Sequence, residues 1–176
     1  MEIVCIGGLA QSGKDTLAKC LEELLIKKGK RVLILHHADY LKFICKQYFG
    51  WDGQKDDKGR TILQYVGTDI VRVRRPDFWV EIIQLFLDVF IQDYDFILIP
   101  DCRFPNEIES YKGKYHTTSI RMHRPNFDNG LSQEQKSHKS ETALDDYSFD
   151  ITLNCSSGIE NVMASAKTLL EEVFNI

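Results

Sequence analysis

The sequence predicts an α/β fold: a mainly parallel sheet of five strands with helices on both faces. Three observations carry that prediction. Strand-sized apolar runs alternate along the chain with stretches whose apolar residues recur at helical spacing, the order that builds βαβ units. The run at residues 96–100, Phe-Ile-Leu-Ile-Pro, is apolar without alternation, as a strand covered on both faces of a parallel sheet must be. The first apolar run leads straight into glycines and then a helix, which puts a turn at the carboxyl end of a strand, where such sheets hold ligands. With 176 residues, 43% hydrophobic and 27% charged, the chain suits one compact domain, 1–176, with an inserted segment and a lid.

Residues 2–6 read as the first buried strand. A helix follows over 14–28, with Leu17, Leu21, Leu24 and Leu25 on one stripe, and Lys27-Lys28-Gly29 stops it. Residues 31–36 form a second short strand and 38–49 a helix that ends at Gly50. The polar segment 51–60, with Gly53 and Gly59, reads as a surface loop before a helix over 61–73. A further helix, opened by Pro76-Asp77, carries Trp79, Ile82, Ile83, Leu85, Phe86 and Phe90. Its aromatic content suits a homodimer interface, although burial against the sheet is the simpler account. The strand 96–100 ends on Asp101, a short helix spans 106–112, and 117–123 is the fourth strand. Residues 124–141, rich in Asn, Asp, Gly, Ser, Gln and Lys, read as a mobile loop or lid. The fifth strand is 150–154 and an amphipathic helix at 159–174 closes the chain.

Composition excludes several functions. A net charge of -4 argues against a nucleic-acid binder, which needs clustered cation excess. The apolar runs are strand-sized and far short of the ~20 residues that span a bilayer. The N-terminus has no basic segment followed by a signal-length apolar stretch, so a soluble, cytoplasmic protein is expected. Cys5, Cys20, Cys45, Cys102 and Cys155 are scattered, with no CxxC spacing, and read as free thiols packed in the core. The five histidines show neither HxH nor HxxxH spacing and read as non-ligands. The GxSxG elbow of a serine hydrolase is absent from the sequence.

Residues 8–14, Gly-Leu-Ala-Gln-Ser-Gly-Lys, satisfy GxxxxGK between a strand and a helix, the context that defines a phosphate-binding P-loop. Gly8 and Gly13 let the backbone curl, so the amides through Ala10, Gln11 and Ser12 converge on one concavity, and Lys14 adds a full charge. The next residue is Asp15 rather than Ser or Thr, with Thr16 after it. Asp15 either approaches a Mg²⁺ through water or is a first-turn residue favoured by the helix dipole, while Thr16 is placed to touch a phosphate oxygen. Asp101, at a neighbouring strand end, is either a second Mg²⁺ organiser or a strand-end cap. Arg103 either grips a phosphate bidentately or pairs with Glu107 or Asp101. Asp39 and Lys42 follow the second strand, where a second substrate would lie; Asp39 is otherwise a helix N-cap. Helical spacing places residues 64, 68 and 72, and also 65, 69 and 72, on contiguous faces. Gln64 and Asp69 have the donors and acceptors to read a base edge, and Arg72 the charge to hold a monophosphate. Arg121 and Arg124 flank the lid, where cations can neutralise a moving phosphoryl group. Lys14, Arg72, Arg103, Arg121 and Arg124 are expected to converge on one cleft. Ser140-Glu141 with Leu144-Asp145-Asp146 reads as a short capped helix whose acids anchor the lid or the structure.

Together, GGLAQSGKDT, HADYLK, GRTILQYVGTDIVR with Trp79 beyond it, PDCRFPNE, IRMHRPN and SETALDDYSFDITLN, spread from residue 7 to 154, resemble the deoxynucleoside monophosphate kinases of bacteriophages, a branch of the P-loop kinases. Asp15 after the P-loop lysine also resembles this branch and the related phosphomevalonate kinases. The resemblance implies a three-layer nucleoside monophosphate kinase-like fold, with an acceptor-binding helical insert at about 39–92 and a lid at about 124–141. It implies transfer of the γ-phosphate of ATP to a deoxynucleoside 5′-monophosphate, with Gly8, Gly13, Lys14, Asp15 and Thr16 binding ATP and Mg²⁺. Asp39, Lys42, Gln64, Thr68, Asp69, Arg72 and Trp79 would line the acceptor pocket, and Arg103 and Arg124 would contact phosphates. Two alternatives are a P-loop kinase of another small acceptor, phosphomevalonate-like or dephospho-coenzyme A, and an ATP-binding regulatory module without transfer.

Overall fold

A computed structural model describes residues 1–125 and 127–176. Its sheet contains β1 (Glu2–Gly7), β2 (Val32–Ile34), β3 (Phe96–Cys102), β4 (His116–His123) and β5 (Ile151–Asn154), in the order β2-β3-β1-β4-β5 and parallel at every pairing. β1 is central and wholly buried, which is why its sequence shows no polar alternation. Its residues alternate between two cores. Val4 and Ile6 pack with Leu17, Leu21 and Leu25 of α1 (Lys14–Lys27) and with Val162, Ala166 and Leu169 of α8 (Ile159–Glu172). Ile3 and Cys5 pack on the other face with Val80, Ile83 and Leu87 of α4 (Phe78–Phe90) and Ile108 and Tyr111 of α5 (Asn106–Lys112).

Between β2 and α4 lies the helical insert: α2 (Ala38–Tyr48), α3 (Asp57–Gln64) and a π-helix over Tyr65–Arg72. Cys45, Trp51 and Val66, with Leu41, Ile62 and Leu63 against them, give it a small core of its own. Asp56 caps α3 by accepting the Gly59 N–H at 2.7 Å. A Cβ on Gly59 would stand 2.0 Å from the Gln54 carbonyl and 2.7 Å from the Trp51 indole nitrogen, so only glycine lets the segment fold under Trp51. All five cysteines are buried free thiols, as expected. Among the described residues, no helix is long and apolar enough to cross a membrane.

Several elements differ from the sequence expectation, four of them at or near the site. α3 begins at Asp57, inside the expected loop 51–60, because Asp56 supplies the cap. The helix expected over 61–73 changes to π geometry at Tyr65, which widens the turn locally. β3 runs through Asp101 to Cys102. The expected lid contains α6 (Gln133–Ser137) and α7 (Lys139–Thr142); Asn126 of that segment lies outside the described residues. Ser132 and Gln135 form a full capping box, a signal present in Ser-Gln-Glu-Gln.

Candidate phosphate-transfer site

A cleft of about 330 Å³ opens at the carboxyl ends of β1 and β3, from the P-loop to the helical insert. Gly8 (φ +138°) and Gly13 (φ +99°) provide the curl after β1, and a Cβ on Gly8 would lie 2.3 Å from the Met122 carbonyl oxygen. Lys14 is buried, and its Nζ donates to the Gly8 and Leu9 carbonyls at 2.9 and 2.7 Å. Burial first, and then the Arg103 charge, lower its pKa to about 7. Ser12 Oγ is buried without a hydrogen-bond partner among the described residues, an orphaned hydroxyl inside a loop whose chemistry suits an anion.

A carboxylate already occupies part of this cradle. Glu141, on α7, accepts the Ala10 N–H at 3.0 Å and pairs with the Arg103 guanidinium, which also reaches the Ser140 carbonyl. The Glu141 side chain is 7% exposed, so this contact is well desolvated. α7 is thus tied to the P-loop, and its preceding residue His138 lies 3.4 Å from Asp69 of the π-helix, so the segment bridges the cleft.

On the other wall, Asp101 accepts the backbone N–H groups of His37 and Ala38 at 3.0 and 2.9 Å. It therefore docks the start of α2 onto β3. Burial opposes its ionisation, yet the His37 ring and the Ala38 N–H outweigh burial and hold the carboxyl well below the usual range. His36 bridges Asp15 (3.0 Å) and Asp39 (3.4 Å); the Asp15 hydrogen bond raises the histidine's pKa and lowers the aspartate's. Asp15 and Asp101 line the cleft and offer oxygen ligands, the donor type Mg²⁺ takes. Among the described residues, no cluster of three or more His, Cys, Asp or Glu side chains could hold a metal by itself. A Mg²⁺ bound through nucleotide phosphates and water needs no such cluster.

The insert supplies Leu41, Lys42, Lys55, Arg60, Leu63, Gln64, Gly67, Thr68 and Arg72 to the cleft, and α4 adds Trp79. Trp79 donates its indole N–H to the Gly67 carbonyl at 3.0 Å. Arg72 pairs with buried Glu107, donates to the Pro76 carbonyl at 3.1 Å and lies 4.1 Å over the Phe104 ring.

Of the residues singled out from the sequence, the cleft gathers Ala10, Gln11, Lys14, Asp15, Lys42, Gln64, Thr68, Arg72, Trp79, Asp101 and Arg103. Gly8, Ser12 and Gly13 shape the loop; Thr16, half-buried on α1, does not line the cleft. Asp69 does not line the cleft but lies 3.4 Å from His138 beside it. Asp39 is exposed and bonds Lys42 at 2.8 Å. The expected convergence of five cations is corrected to three. Arg124 reaches the Gln11 carbonyl and Ser157, and Arg121 donates to the Asp145 carbonyl behind the loop. Sequence reasoning missed His36, Arg60, Phe104 and Glu107 as cleft residues; His36 directly follows β2, the same strand-end position that drew attention to Asp39. Glu141 anchors the lid segment, one of the two roles expected for it.

Comparison with known proteins agrees with this architecture. A sequence model described as deoxynucleotide monophosphate kinase matches residues 53–165, more than half of the chain and beginning beyond the P-loop. Curated protein sequences give no match. Among solved structures, an unliganded sugar kinase from Janibacter sp. HTCC2649 has a TM-score of 0.53 at 11% identity, covering 98% of this chain and 95% of that one. Mycobacterium tuberculosis APS kinase in complex with AMPPNP and APS has a TM-score of 0.51 at 13% identity, covering 97% and 98%. Aquifex aeolicus shikimate kinase has a TM-score of 0.50 at 14% identity, covering 97% and 96%. These likenesses identify the fold as that of the P-loop kinases.

Proposed function

Since the chain belongs to the deoxynucleotide monophosphate kinase family, we propose that it transfers the γ-phosphate of ATP to a deoxynucleoside 5′-monophosphate, giving ADP and a deoxynucleoside diphosphate. The observation that carries this reading is the single cleft that joins a P-loop at one end to a polar and aromatic helical insert at the other. A nucleotide kinase needs two adjoining sites of that kind.

On this reading the loop amides of Gly8 to Gly13, with Lys14, hold the ATP phosphates, and Thr16 supports the first turn beneath them. An acceptor phosphate oxygen attacks the γ-phosphorus, the bond to the β–γ bridging oxygen breaks, and the electron pair leaves with ADP. The acceptor is a dianion near neutral pH and needs no strong base, so positioning and charge neutralisation do the catalysis. Lys14 and Arg103 neutralise the donor side, and Arg72 holds the acceptor phosphate. Lys42, Gln64, Thr68 and Trp79 line the acceptor pocket. Asp39, through Lys42 and His36, orients this wall, and Asp69 ties the insert to the lid. Arg124, bonded to the loop carbonyl of Gln11, steadies the P-loop from the lid side. Asp15 and Asp101 would hold Mg²⁺, which would supply further neutralisation of the donor's negative charge. Closure over the cleft excludes water that would otherwise take the phosphoryl group.

The test is ADP release with ATP-Mg²⁺ and each of dAMP, dGMP, dCMP and dTMP, with AMP as the ribonucleotide. Acceptor-dependent release is expected. Stimulation by phosphomevalonate or dephospho-coenzyme A instead would overturn the acceptor assignment, and ATP binding without stimulation by any acceptor would leave a regulatory module.

A further inference from the structure

Glu107 is 2% exposed in the first turn of α5, and both of its oxygens are committed. One meets Arg72 Nη2; the other accepts the backbone N–H groups of Arg103 at 2.5 Å and Phe104 at 3.1 Å. Resting on the function proposed above, we infer that Glu107 is the positioning residue of the acceptor site. It aims Arg72 at the acceptor phosphate and, through the backbone of Arg103, fixes how far apart the two phosphate-binding arginines stand.

Three features of Arg72 support this. Its guanidinium side chain is 10% exposed, so its direction is set by protein contacts. Those contacts come from three sides: the Glu107 carboxylate, the Pro76 carbonyl at 3.1 Å and the Phe104 ring face at 4.1 Å. A guanidinium has five N–H donors in a rigid fork, and these contacts use one on each of two nitrogens, which leaves donors for a ligand in the cleft that Arg72 lines. Phe104, which Glu107 holds by its N–H, is the ring under Arg72, so one carboxylate orders both the cation and its platform. Arg103, held by its N–H at the same carboxylate, sends its own guanidinium to Glu141 beside the P-loop. The same glutamate therefore connects the donor-side and acceptor-side cations.

Glutamine at this position separates the two arms. Its amide oxygen can keep the Arg103 and Phe104 N–H groups, and its NH₂ then faces Arg72 donors with no acceptor. Glu107→Gln should raise the acceptor KM about tenfold or more, because a buried cation loses its partner, and leave the ATP KM within about twofold. In an Arg72→Ala background the same change should add less than about threefold. Phe104→Leu, which keeps the ion pair and removes the ring face, should raise the acceptor KM by about two- to fivefold. Equal movement of both KM values, additive effects with Arg72→Ala, or an unchanged acceptor KM would overturn the inference. Should the wild type phosphorylate none of the four deoxynucleoside monophosphates, the proposed function fails. The inference is then decided by arginine side-chain ¹⁵N–¹H spectra with dTMP as the probe. A slowly exchanging Arg72 resonance that shifts with dTMP and is lost in Glu107→Gln supports it, and an Arg72 resonance identical in both proteins overturns it.

Discussion

Replacing Glu141 by glutamine tests how the phosphate loop is held when empty. The carboxylate accepts the Ala10 N–H at 3.0 Å and pairs with Arg103 while only 7% exposed, so it stands on the donors that a nucleotide phosphate would use. Hydrogen bonds to charged groups contribute about 1.5–3 kcal/mol, against about 1 kcal/mol for neutral ones. Glutamine keeps the size and a neutral acceptor but gives up the charge at two contacts. The self-occupied state should therefore weaken by about 1–2 kcal/mol, which is about 5- to 30-fold in a binding constant. Removing a negative charge from beside the phosphates acts in the same direction. Calorimetric titration with ATP, or with AMPPNP to suppress turnover, should give a Kd lower by that factor for Glu141→Gln. An unchanged or raised Kd would show that the carboxylate does not compete with phosphate, and the reasoning would fail.

Burial and then the Arg103 charge lower the Lys14 pKa to about 7, and a phosphate bound beside it should raise that pKa and so favour the protonated form. ATP binding at pH 8 should take up a proton and weaken as pH rises, visible by calorimetry in buffers of different ionisation heat and absent in Lys14→Ala; proton release contradicts this. The unfolded chain keeps that proton up to about pH 10.4, so this group makes the nucleotide-free protein more stable from pH 7 toward 10. Asp101→Ala leaves the His37 and Ala38 N–H groups unpaired and should cost about 2–4 kcal/mol in urea unfolding. Because the Asp101 carboxyl is held well below its ordinary value, its contribution is full above about pH 4 and fades as pH falls through the folded pKa; a loss under about 0.5 kcal/mol contradicts the capping role. Gly8→Ala forces a Cβ to 2.3 Å from the Met122 carbonyl at a φ of +138°. It should destabilise by about 3 kcal/mol or more and abolish ATP binding, whereas a normal melting temperature would refute the close approach.

Much of this was legible because the signals are local. The strand-loop-helix at β1, the buried run of β3 and the Leu stripe of α1 each state their structure within a dozen residues. Lys14, Arg72 and Arg103 could be read because each sits in a motif or at a strand end. What could not be read depends on backbone geometry or on distant partners. Eight residues are too few for the sequence to separate the π-helix over Tyr65–Arg72 from an α-helix, and the partner of Asp69, His138, is 69 residues away in the lid segment. Glu107 reads from the sequence only as one of two candidate partners for Arg103, since the guanidinium it actually pairs, Arg72, is 35 residues away. Arg121 and Arg124 read as cleft cations because they flank the lid segment, but their acceptors are the Asp145 and Gln11 carbonyls, which no pattern of side chains announces. For Asp101, the position at the carboxyl end of β3 facing the loop was legible, and its two backbone partners, His37 and Ala38 at the start of α2, were not.

Transfer between two nucleotides in one cleft can be followed by ³¹P NMR of ATP-Mg²⁺ with dTMP, dGMP, dCMP and dAMP in turn. At least one acceptor should yield matched amounts of ADP and the deoxynucleoside diphosphate, with little inorganic phosphate. Inorganic phosphate as the product, or ATP consumption at the same rate with and without every acceptor, would contradict it.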